Sequence, residues 1–228
     1  MQITIITLFS ELFDSFLSTS LLAKAREKGV LQFNFVNPRD FCGDDFQHVD
    51  DTVYGGGAGM LIKAKPVIDA VQSVISQIQK TAKNQKFHII FPSPAEIIFD
   101  QKLAYGLSKI DHLIFVCGRY EGIDYRFEEY ISSQYGSAFS KVSLGKFVLL
   151  GGEVASMTMI EAIGRLIPGV IKESESRQDE SYNLKTGMTN LEFPHYTRPE
   201  SVYGLHVPEV LLSGNQIEIE NWRQNNTK

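Results

Sequence analysis

Cys117-Gly118-Arg119-Tyr120-Glu121-Gly122-Ile123-Asp124 is a glycine-punctuated segment that directly follows an apolar run, His112–Val116. A second segment of this kind is Ser143-Leu144-Gly145-Lys146-Phe147-Val148-Leu149-Leu150-Gly151-Gly152-Glu153. Because glycine lets the main chain approach a ligand closely, two such segments predict a pocket built largely from backbone atoms.

Neither segment has the pattern of a phosphate-binding loop. The chain contains no G-x-x-x-x-G-K-[ST] sequence, and no G-x-G-x-x-G sequence opens a predicted helix. The glycine-rich stretch Gly55–Met60 also lacks the Lys-Ser pair that such a loop would carry. The pocket is therefore not predicted to hold a nucleoside triphosphate or a dinucleotide in the usual way.

Apolar runs alternate with segments of helical periodicity along the first three quarters of the chain. The predicted strands are residues 2–7, Leu31–Val36, Phe87–Phe91 and His112–Val116, and the predicted helices are Leu8–Arg26, Pro66–Gln79, Asp100–Ser108 and Val154–Leu166. This alternation is typical of an α/β domain with a mostly parallel sheet, in which ligands bind at the carboxyl ends of the strands. Ser93, Gly118 and Gly151 all belong to segments that follow such ends.

Local signals mark the ends of several elements. Gly29 is expected to terminate the first helix, and Asp100 is expected to cap the third helix at its N-terminus. Residues 44–59 are polar and glycine-rich, which predicts a loop.

The composition excludes several classes of protein. A net charge of −5 over 228 residues weighs against a bulk nucleic-acid binder, so RNA contacts would come from a local patch or from a surface formed by two subunits. The two cysteines form no C-x-x-C pair and the five histidines show no metal-ligand spacing, so no metal site is predicted. No apolar run approaches the ~18 residues of a membrane span, and no signal peptide is recognisable. We expect a cytoplasmic protein that does not contact a membrane.

Residues 172–190 differ from the rest of the chain because they are polar and charged without apolar periodicity. They are interpreted as an interdomain linker. Residues 191–228 are too few to form a core by themselves and must pack on the main domain or on a second copy. The predicted organisation is a main domain of residues 1–171, a linker of residues 172–190 and a small domain of residues 191–228.

A series of motifs, in order along nearly the whole chain, resembles the bacterial tRNA (guanine-N1-)-methyltransferase family of the SPOUT superfamily. Besides Cys117–Asp124 they are Leu8-Phe9-Ser10, Asn37-Pro38-Arg39-Asp40, Asp50–Met60, Ile167-Pro168-Gly169-Val170, Pro194-His195-Tyr196-Thr197-Arg198-Pro199-Glu200, Val207–Asn215 and Trp222-Arg223. Each motif alone is weakly specific, but their common order is highly specific.

The resemblance implies an α/β domain with a deep trefoil knot, an exception to the rule of unknotted chains, and a small, mainly helical C-terminal domain that binds tRNA. It implies S-adenosyl-L-methionine as cofactor, and a homodimer whose active sites are shared between subunits. The substrate would be tRNA with guanines at positions 36 and 37, and the product would carry a methyl group on N1 of guanine 37. The family is also thought to need Mg²⁺ at turnover, for which the sequence shows no protein-only ligand set.

The resemblance also assigns binding residues. The cofactor would be bound by Phe91, Pro92, Ser93, Pro94, Gly118, Tyr120, Glu121, Gly122, Ser143, Leu144, Gly145, Lys146, Phe147, Val148, Leu149, Gly151 and Gly152. The tRNA would be contacted by Gly57, Gly59, Met60, His195, Tyr196, Arg198, Ser213 and Gly214. The alternative interpretation is structural: these glycines would serve tight turns only, and Tyr196 would pack against the main domain.

Methylation of guanine N1 requires a base that removes the N1 proton and a group that stabilises charge on O6. By resemblance, Arg165 is the stabilising group and a linker carboxylate is the base. Glu180 occupies the register of the family's aspartate, whereas Asp179 has the usual side chain one residue earlier, and both remain open. In the structural alternative, Arg165 forms a salt bridge at a helix end and both carboxylates are solvated.

Two rival functions remain at this stage. A SPOUT enzyme that acts on another RNA base or on a ribose would keep the cofactor pocket and alter the guanine pocket. A non-catalytic RNA-binding dimer would bind the cofactor without turnover.

Overall fold

The computed structural model describes residues 1–82, 84–171, 180–183 and 187–228. The chain divides into two compact units, Met1–Lys172 and Glu173–Lys228. Most of the predicted linker, residues 172–190, lies outside the described residues.

The first unit contains seven strands and six α-helices among its described residues. They are β1 Gln2–Ile6, α1 Asp14–Leu17, α2 Ser20–Glu27, β2 Gln32–Val36, β3 Asp50–Thr52, β4 Met60–Ile62, α3 Ala64–Thr81, β5 Phe87–Pro92, α4 Gln101–Leu107, β6 His112–Val116, α5 Arg126–Tyr135, β7 Phe139–Val142 and α6 Gly152–Gly164. Short 3-10 helices lie at Ser10–Phe13, Pro38–Phe41 and Gly136–Ala138. The second unit contains β8 Ser201–Val202, β9 Leu205–His206, α7 Glu209–Leu212 and α8 Gln216–Asn226.

The central sheet of the first unit has five strands in the order β2-β1-β6-β5-β7. Every neighbouring pair in it is parallel. The predicted α/β fold with a mostly parallel sheet is therefore confirmed. The strands β3 and β4 form a separate antiparallel pair.

The strands β1, β5 and β6 are largely buried on both faces and are apolar along most of their length, whereas the edge strand β2 is mostly exposed. Along β6, Ile114 and Val116 face the layer of α3 and α5, and Leu113 and Phe115 face the layer of α4 and α6. The alternation follows from the two-residue side-chain period of a strand.

The prediction of one helix over Leu8–Arg26 was wrong, because this segment forms a 3-10 turn and two separate helices. The break lies at Thr19, which is extended, and Ser20, which has a φ of +57°. The Thr19 hydroxyl donates a 2.6 Å hydrogen bond to the Ser15 carbonyl. Serine and threonine hydroxyls compete in this way with the helical backbone, so the apolar periodicity is not enough to keep one helix.

The expected end of this region is confirmed. Gly29 follows α2 with a φ of +68°, and its N–H donates to the Arg26 carbonyl at 2.9 Å. The Asp100 side chain accepts a 2.7 Å hydrogen bond from the Leu103 N–H and so caps α4, as predicted.

The strands β3, β4 and β7 and the helix α5 were not predicted from the sequence. The predicted loop of residues 44–59 contains β3, whose Asp-Asp-Thr sequence has low strand propensity and is held by pairing with β4. The strand β7 was missed because it is a short edge strand. The helix α5 was also missed, although Asp124, whose side chain accepts from the Arg126 N–H at 3.0 Å, is a recognisable start signal.

The buried His112 makes the stability of the fold depend on pH. His112 is 4% exposed and its Nε2 lies 2.8 Å from the Thr4 hydroxyl oxygen. Burial lowers the pKa of His112 from 6.5 to about 4. Below pH 6.5 the unfolded chain binds a proton that the folded chain excludes, so stability falls as the pH decreases toward 4.

We expect the free energy of unfolding to fall by about 2 kcal/mol more between pH 7 and pH 5 in the wild type than in His112→Gln. Urea denaturation at the two pH values measures this difference. His206→Gln, at an exposed position, is the matched control and should behave as the wild type. An equal pH dependence in the wild type and His112→Gln would contradict the prediction.

Candidate active site

A cavity of about 250 Å³ opens at the carboxyl ends of β5, β6 and β7. Most of its lining belongs to the two glycine-punctuated segments. The predicted cofactor residues that line the cavity are Phe91, Pro92, Ser93, Pro94, Gly118, Tyr120, Glu121, Gly122, Ser143, Leu144, Phe147, Val148, Leu149, Gly151 and Gly152. The lining also includes four residues that were not predicted, Arg119, Val142, Leu150 and Ala155. Parallel strands bring their carboxyl ends to one edge of the sheet, which is why segments far apart in sequence meet here.

Two predicted cofactor residues do not line this cavity. Gly145 forms a tight turn in which its N–H donates to the Ser143 hydroxyl at 3.1 Å and its carbonyl accepts from that hydroxyl at 2.9 Å. Lys146 is exposed next to this turn.

The two glycine-punctuated segments are joined where α6 begins. The Gly152 N–H donates to the Gly118 carbonyl at 2.9 Å, and Arg119 pairs with Gly151 in an antiparallel bridge. A Cβ atom on Gly152 would lie 2.9 Å from the Cα of Cys117, which is closer than such atoms approach. This position therefore requires glycine because of close backbone contact.

Arg119 and Glu153 form a buried ion pair next to this junction. The sequence analysis did not assign a role to either residue. Glu153, fully buried in the first turn of α6, accepts a 2.8 Å hydrogen bond from the Thr7 hydroxyl. Its Oε2 lies 2.8 Å from Nε of Arg119. The Nε–H does not point at that oxygen, so the contact is an ion pair rather than an aligned hydrogen bond. The only sequence signal was an acidic residue directly after the glycine pair, at a helix start that favours negative charge.

The predicted tRNA residues of the first unit lie beside the cavity residue Glu121. The Glu121 N–H donates to the Met60 carbonyl at 3.0 Å. A Cβ atom on Gly59, whose φ is +91°, would lie 2.5 Å from Oε1 of Glu121. Gly57 has a φ of +134° and open space around it. The structure therefore brings the loop before β4 next to the cavity.

Arg165 lies at the opposite end of α6 from the cavity. It is the exposed residue that follows Gly164, and its N–H donates to the Glu161 carbonyl at 3.1 Å. It lines a second cavity of about 520 Å³ together with residues of the α1–α2 region and Ile171. At a rise of 1.5 Å per residue, α6 separates Arg165 from Gly152 by about 20 Å.

The structure describes only one of the two candidate bases. Asp179 lies outside the described residues. Glu180 is half-buried in the second unit, where its main-chain carbonyl accepts a 2.8 Å hydrogen bond from the Asn183 side-chain amide.

The predicted tRNA residues of the second unit are all exposed. The His195 ring lies 4.7 Å from the Phe193 ring, and the Tyr196 ring lies 6.2 Å from the Trp222 ring. Arg198 is two residues further along the same exposed stretch.

Ser213 and Gly214 form the turn between α7 and α8. The Ser213 hydroxyl donates to the Val210 carbonyl at 2.8 Å, and Gly214 has a φ of +71°.

The buried thiol of Cys117 also lies at the junction of the two segments. Burial raises the pKa of the Cys117 thiol, which keeps it protonated. Within the described ranges, no three His, Cys, Asp or Glu side chains are grouped so that they would hold a metal ion. The same ranges contain no helix that is long and apolar enough to cross a bilayer.

Comparison with known proteins identifies the family of this chain. A family model described as tRNA (Guanine-1)-methyltransferase TrmD matches residues 1–228. Proteins named tRNA (guanine-N(1)-)-methyltransferase are similar over 98% of this chain. The one from Carboxydothermus hydrogenoformans is 45% identical over 81% of its own length, the one from Clostridium botulinum strain Kyoto 46% over 85%, and the one from Bacillus subtilis 43% over 86%. The chain therefore belongs to the tRNA (guanine-1)-methyltransferase family.

Proposed function

We propose that this protein transfers a methyl group from S-adenosyl-L-methionine to N1 of guanine 37 in tRNA that has guanine at position 36. The observation that carries the proposal is the family match over residues 1–228, together with a backbone-rich cavity at the carboxyl edge of the sheet. The rival functions, another RNA target or a non-catalytic dimer, have no observation in their favour.

The residues of the cavity fit this cofactor. The main chain of the two glycine-punctuated segments lines much of the cavity, and main-chain N–H and carbonyl groups suit the edge of an adenine ring. The carboxylate of Glu121 attracts the positive charge of a sulfonium group, and Leu144 and Leu149 provide apolar surface. When bound, the cofactor supplies an electrophilic methyl group.

The chain must supply the proton transfer and the charge stabilisation that the target guanine requires. Arg165 is exposed and permanently charged, which suits donation to O6 as negative charge develops there. A carboxylate, Asp179 or Glu180, removes the N1 proton. The cavity, Arg165 and this base are the three parts of the proposed site.

We propose a homodimer with shared active sites, in which the cavity of one copy and Arg165 of the other copy form one site. Within one copy, α6 places Arg165 about 15 Å from Ala155, the cavity residue nearest to it on this helix. The chain exposes apolar side chains near the cavity, with Val148 and Leu150 of its lining at 85% and 90% exposure and Val154 of α6 at 56%. Such a surface is suited to burial against a second copy.

The remaining parts of the proposal rest mainly on the family. The deep trefoil knot is supported by the non-sequential strand order and by the junction of the segments around Gly118 and Gly152.

The small C-terminal domain is proposed to bind the anticodon stem-loop through its exposed aromatic and arginine side chains, which can stack on bases or contact phosphates. We place the enzyme in the cytoplasm with its tRNA substrate. A requirement for Mg²⁺ has no support from grouped ligands in the described residues.

The test of the proposed function is methyl transfer from labelled S-adenosyl-L-methionine to two tRNA transcripts. One carries guanines at positions 36 and 37, and the other carries adenine at position 37. Label on the first transcript alone is the expected result. No label on either transcript, with cofactor binding shown by calorimetry, would contradict the function and favour one of the rivals.

The same assay identifies the base. We expect one of the variants Asp179→Ala and Glu180→Ala to lose at least a hundredfold in methyl transfer, because a positioned base contributes about 10² to 10⁴ to the rate. The other variant serves as its matched control, since it removes a neighbouring carboxylate. Full activity in both variants would show that neither carboxylate is the base.

A further inference from the structure

The wall of the cofactor cavity contains an arginine whose positive charge is neutralised by a carboxylate that lies outside the cavity. Arg119 lines the cavity, and its side chain is 20% exposed. Its partner Glu153 is fully buried and does not line the cavity. The carboxylate is therefore placed where it reaches the arginine but not a ligand.

The ion pair is built into three segments of the first unit. Thr7, directly after β1, donates to one carboxylate oxygen of Glu153 at 2.8 Å, and the other oxygen lies 2.8 Å from Nε of Arg119. The guanidinium carbon lies 4.9 Å from the centre of the Phe9 ring. These contacts determine the position of the Arg119 side chain.

Gly151 provides the space for this arrangement. A Cβ atom there would lie 2.4 Å from Nε of Arg119 and 2.6 Å from Oε2 of Glu153. The side chains of the ion pair therefore occupy the volume that any other residue at this position would fill.

We propose that Glu153 is a positioning residue that neutralises Arg119, so that the cavity accepts a positively charged sulfonium group. This inference rests on the proposed function, in which S-adenosyl-L-methionine is the ligand. An unbalanced arginine on the cavity wall would repel that cation. S-adenosylhomocysteine, the product, has a neutral thioether in place of the sulfonium and otherwise carries the same charges. Its affinity therefore measures how well the cavity fits the rest of the molecule, without the contribution of the sulfonium charge.

The test compares the dissociation constants of these two compounds by calorimetry. In Glu153→Gln, which keeps the shape of the side chain, we expect affinity for S-adenosyl-L-methionine to fall about tenfold more than affinity for S-adenosylhomocysteine. This is the effect of one unit charge about 10 Å away at an effective dielectric constant near 20. A purely structural role would weaken both compounds by the same factor.

The double variant Arg119→Met/Glu153→Gln provides the matched control. It removes both charges, and a buried ion pair is often replaced by neutral side chains of similar volume without loss of stability. We expect the ratio of the two dissociation constants to return to within about twofold of the wild-type ratio. A ratio that stays at the value of the single variant would overturn the proposal, as would equal weakening of both compounds in Glu153→Gln.

Two further outcomes are informative. If circular dichroism shows that Glu153→Gln does not fold, Arg119→Met replaces it. This variant leaves the negative charge of Glu153 unbalanced, so affinity for S-adenosyl-L-methionine is expected to rise relative to affinity for S-adenosylhomocysteine. An unchanged ratio of the two dissociation constants, or a change that favours S-adenosylhomocysteine, would overturn the charge-balancing role. If the wild type binds neither compound, the proposed function itself fails, which distinguishes that result from failure of this inference.

Discussion

Replacement of Gly152 by alanine is expected to reduce affinity for S-adenosyl-L-methionine at least a hundredfold. The new Cβ atom would lie 2.9 Å from the Cα of Cys117 and 3.2 Å from the backbone nitrogen of Gly118. Both neighbours are main-chain atoms of the cavity wall and cannot rotate away. The start of α6 must therefore move away from Gly118, which breaks the 2.9 Å hydrogen bond between these segments.

The same clash should lower the free energy of unfolding by about 3 kcal/mol, the upper part of the range for overpacked buried sites. Calorimetry measures the binding and urea denaturation measures the stability. Gly106→Ala in α4 is the matched control, because a Cβ atom there meets nothing within 4 Å. It should bind normally and be slightly more stable, since alanine favours a helix over glycine. Normal binding by Gly152→Ala would contradict the close-contact argument.

Replacement of Arg165 by alanine is expected to lower the rate of methyl transfer about a thousandfold, while affinity for S-adenosyl-L-methionine stays within about twofold of the wild type. The loss follows from the role proposed for Arg165, the stabilisation of negative charge on guanine O6. The cofactor affinity is preserved because α6 places Arg165 about 15 Å from Ala155, the nearest residue of this helix that lines the cavity of its own chain. Single-turnover kinetics and calorimetry measure the two quantities. A parallel loss of cofactor affinity would contradict this assignment.

A heterodimer distinguishes a shared active site from one within a single chain. One protomer carries Arg165→Ala and the other carries Gly118→Val, which adds side-chain atoms to the cavity wall. In a shared site, the intact cavity of the first protomer meets the intact arginine of the second, so about half of the wild-type activity is expected from the purified heterodimer. If both parts must come from one chain, no activity is recovered.

Much of the cavity lining was predictable because local sequence encodes its glycine-punctuated segments. The segment around Gly118 follows the apolar run His112–Val116, and parallel strands place such segments at one edge of the sheet. The interrupted helix after Leu8 was not predictable from apolar spacing, because the Thr19 hydroxyl binds the Ser15 carbonyl and competes with the helical backbone.

The contacts that give the cavity its charge and shape were not predictable in the same way. Thr7 and Glu153 are 146 residues apart in sequence, yet one hydrogen bond joins their side chains. No periodicity or short motif encodes a distance of that kind, because it depends on how the strands are ordered in the sheet.

The sequence by itself determined the family, the α/β class and the segments that line the cavity, because each of these is carried by local patterns and ordered motifs. Only the tertiary structure decided which of these groups lie together. It showed the close backbone contact at Gly152, the pairing of Glu153 with Arg119, and the separation of Arg165 from the cavity of its own chain. Such distances follow from the packing of a rigid helix and a parallel sheet, which bring some remote residues into contact and hold others apart.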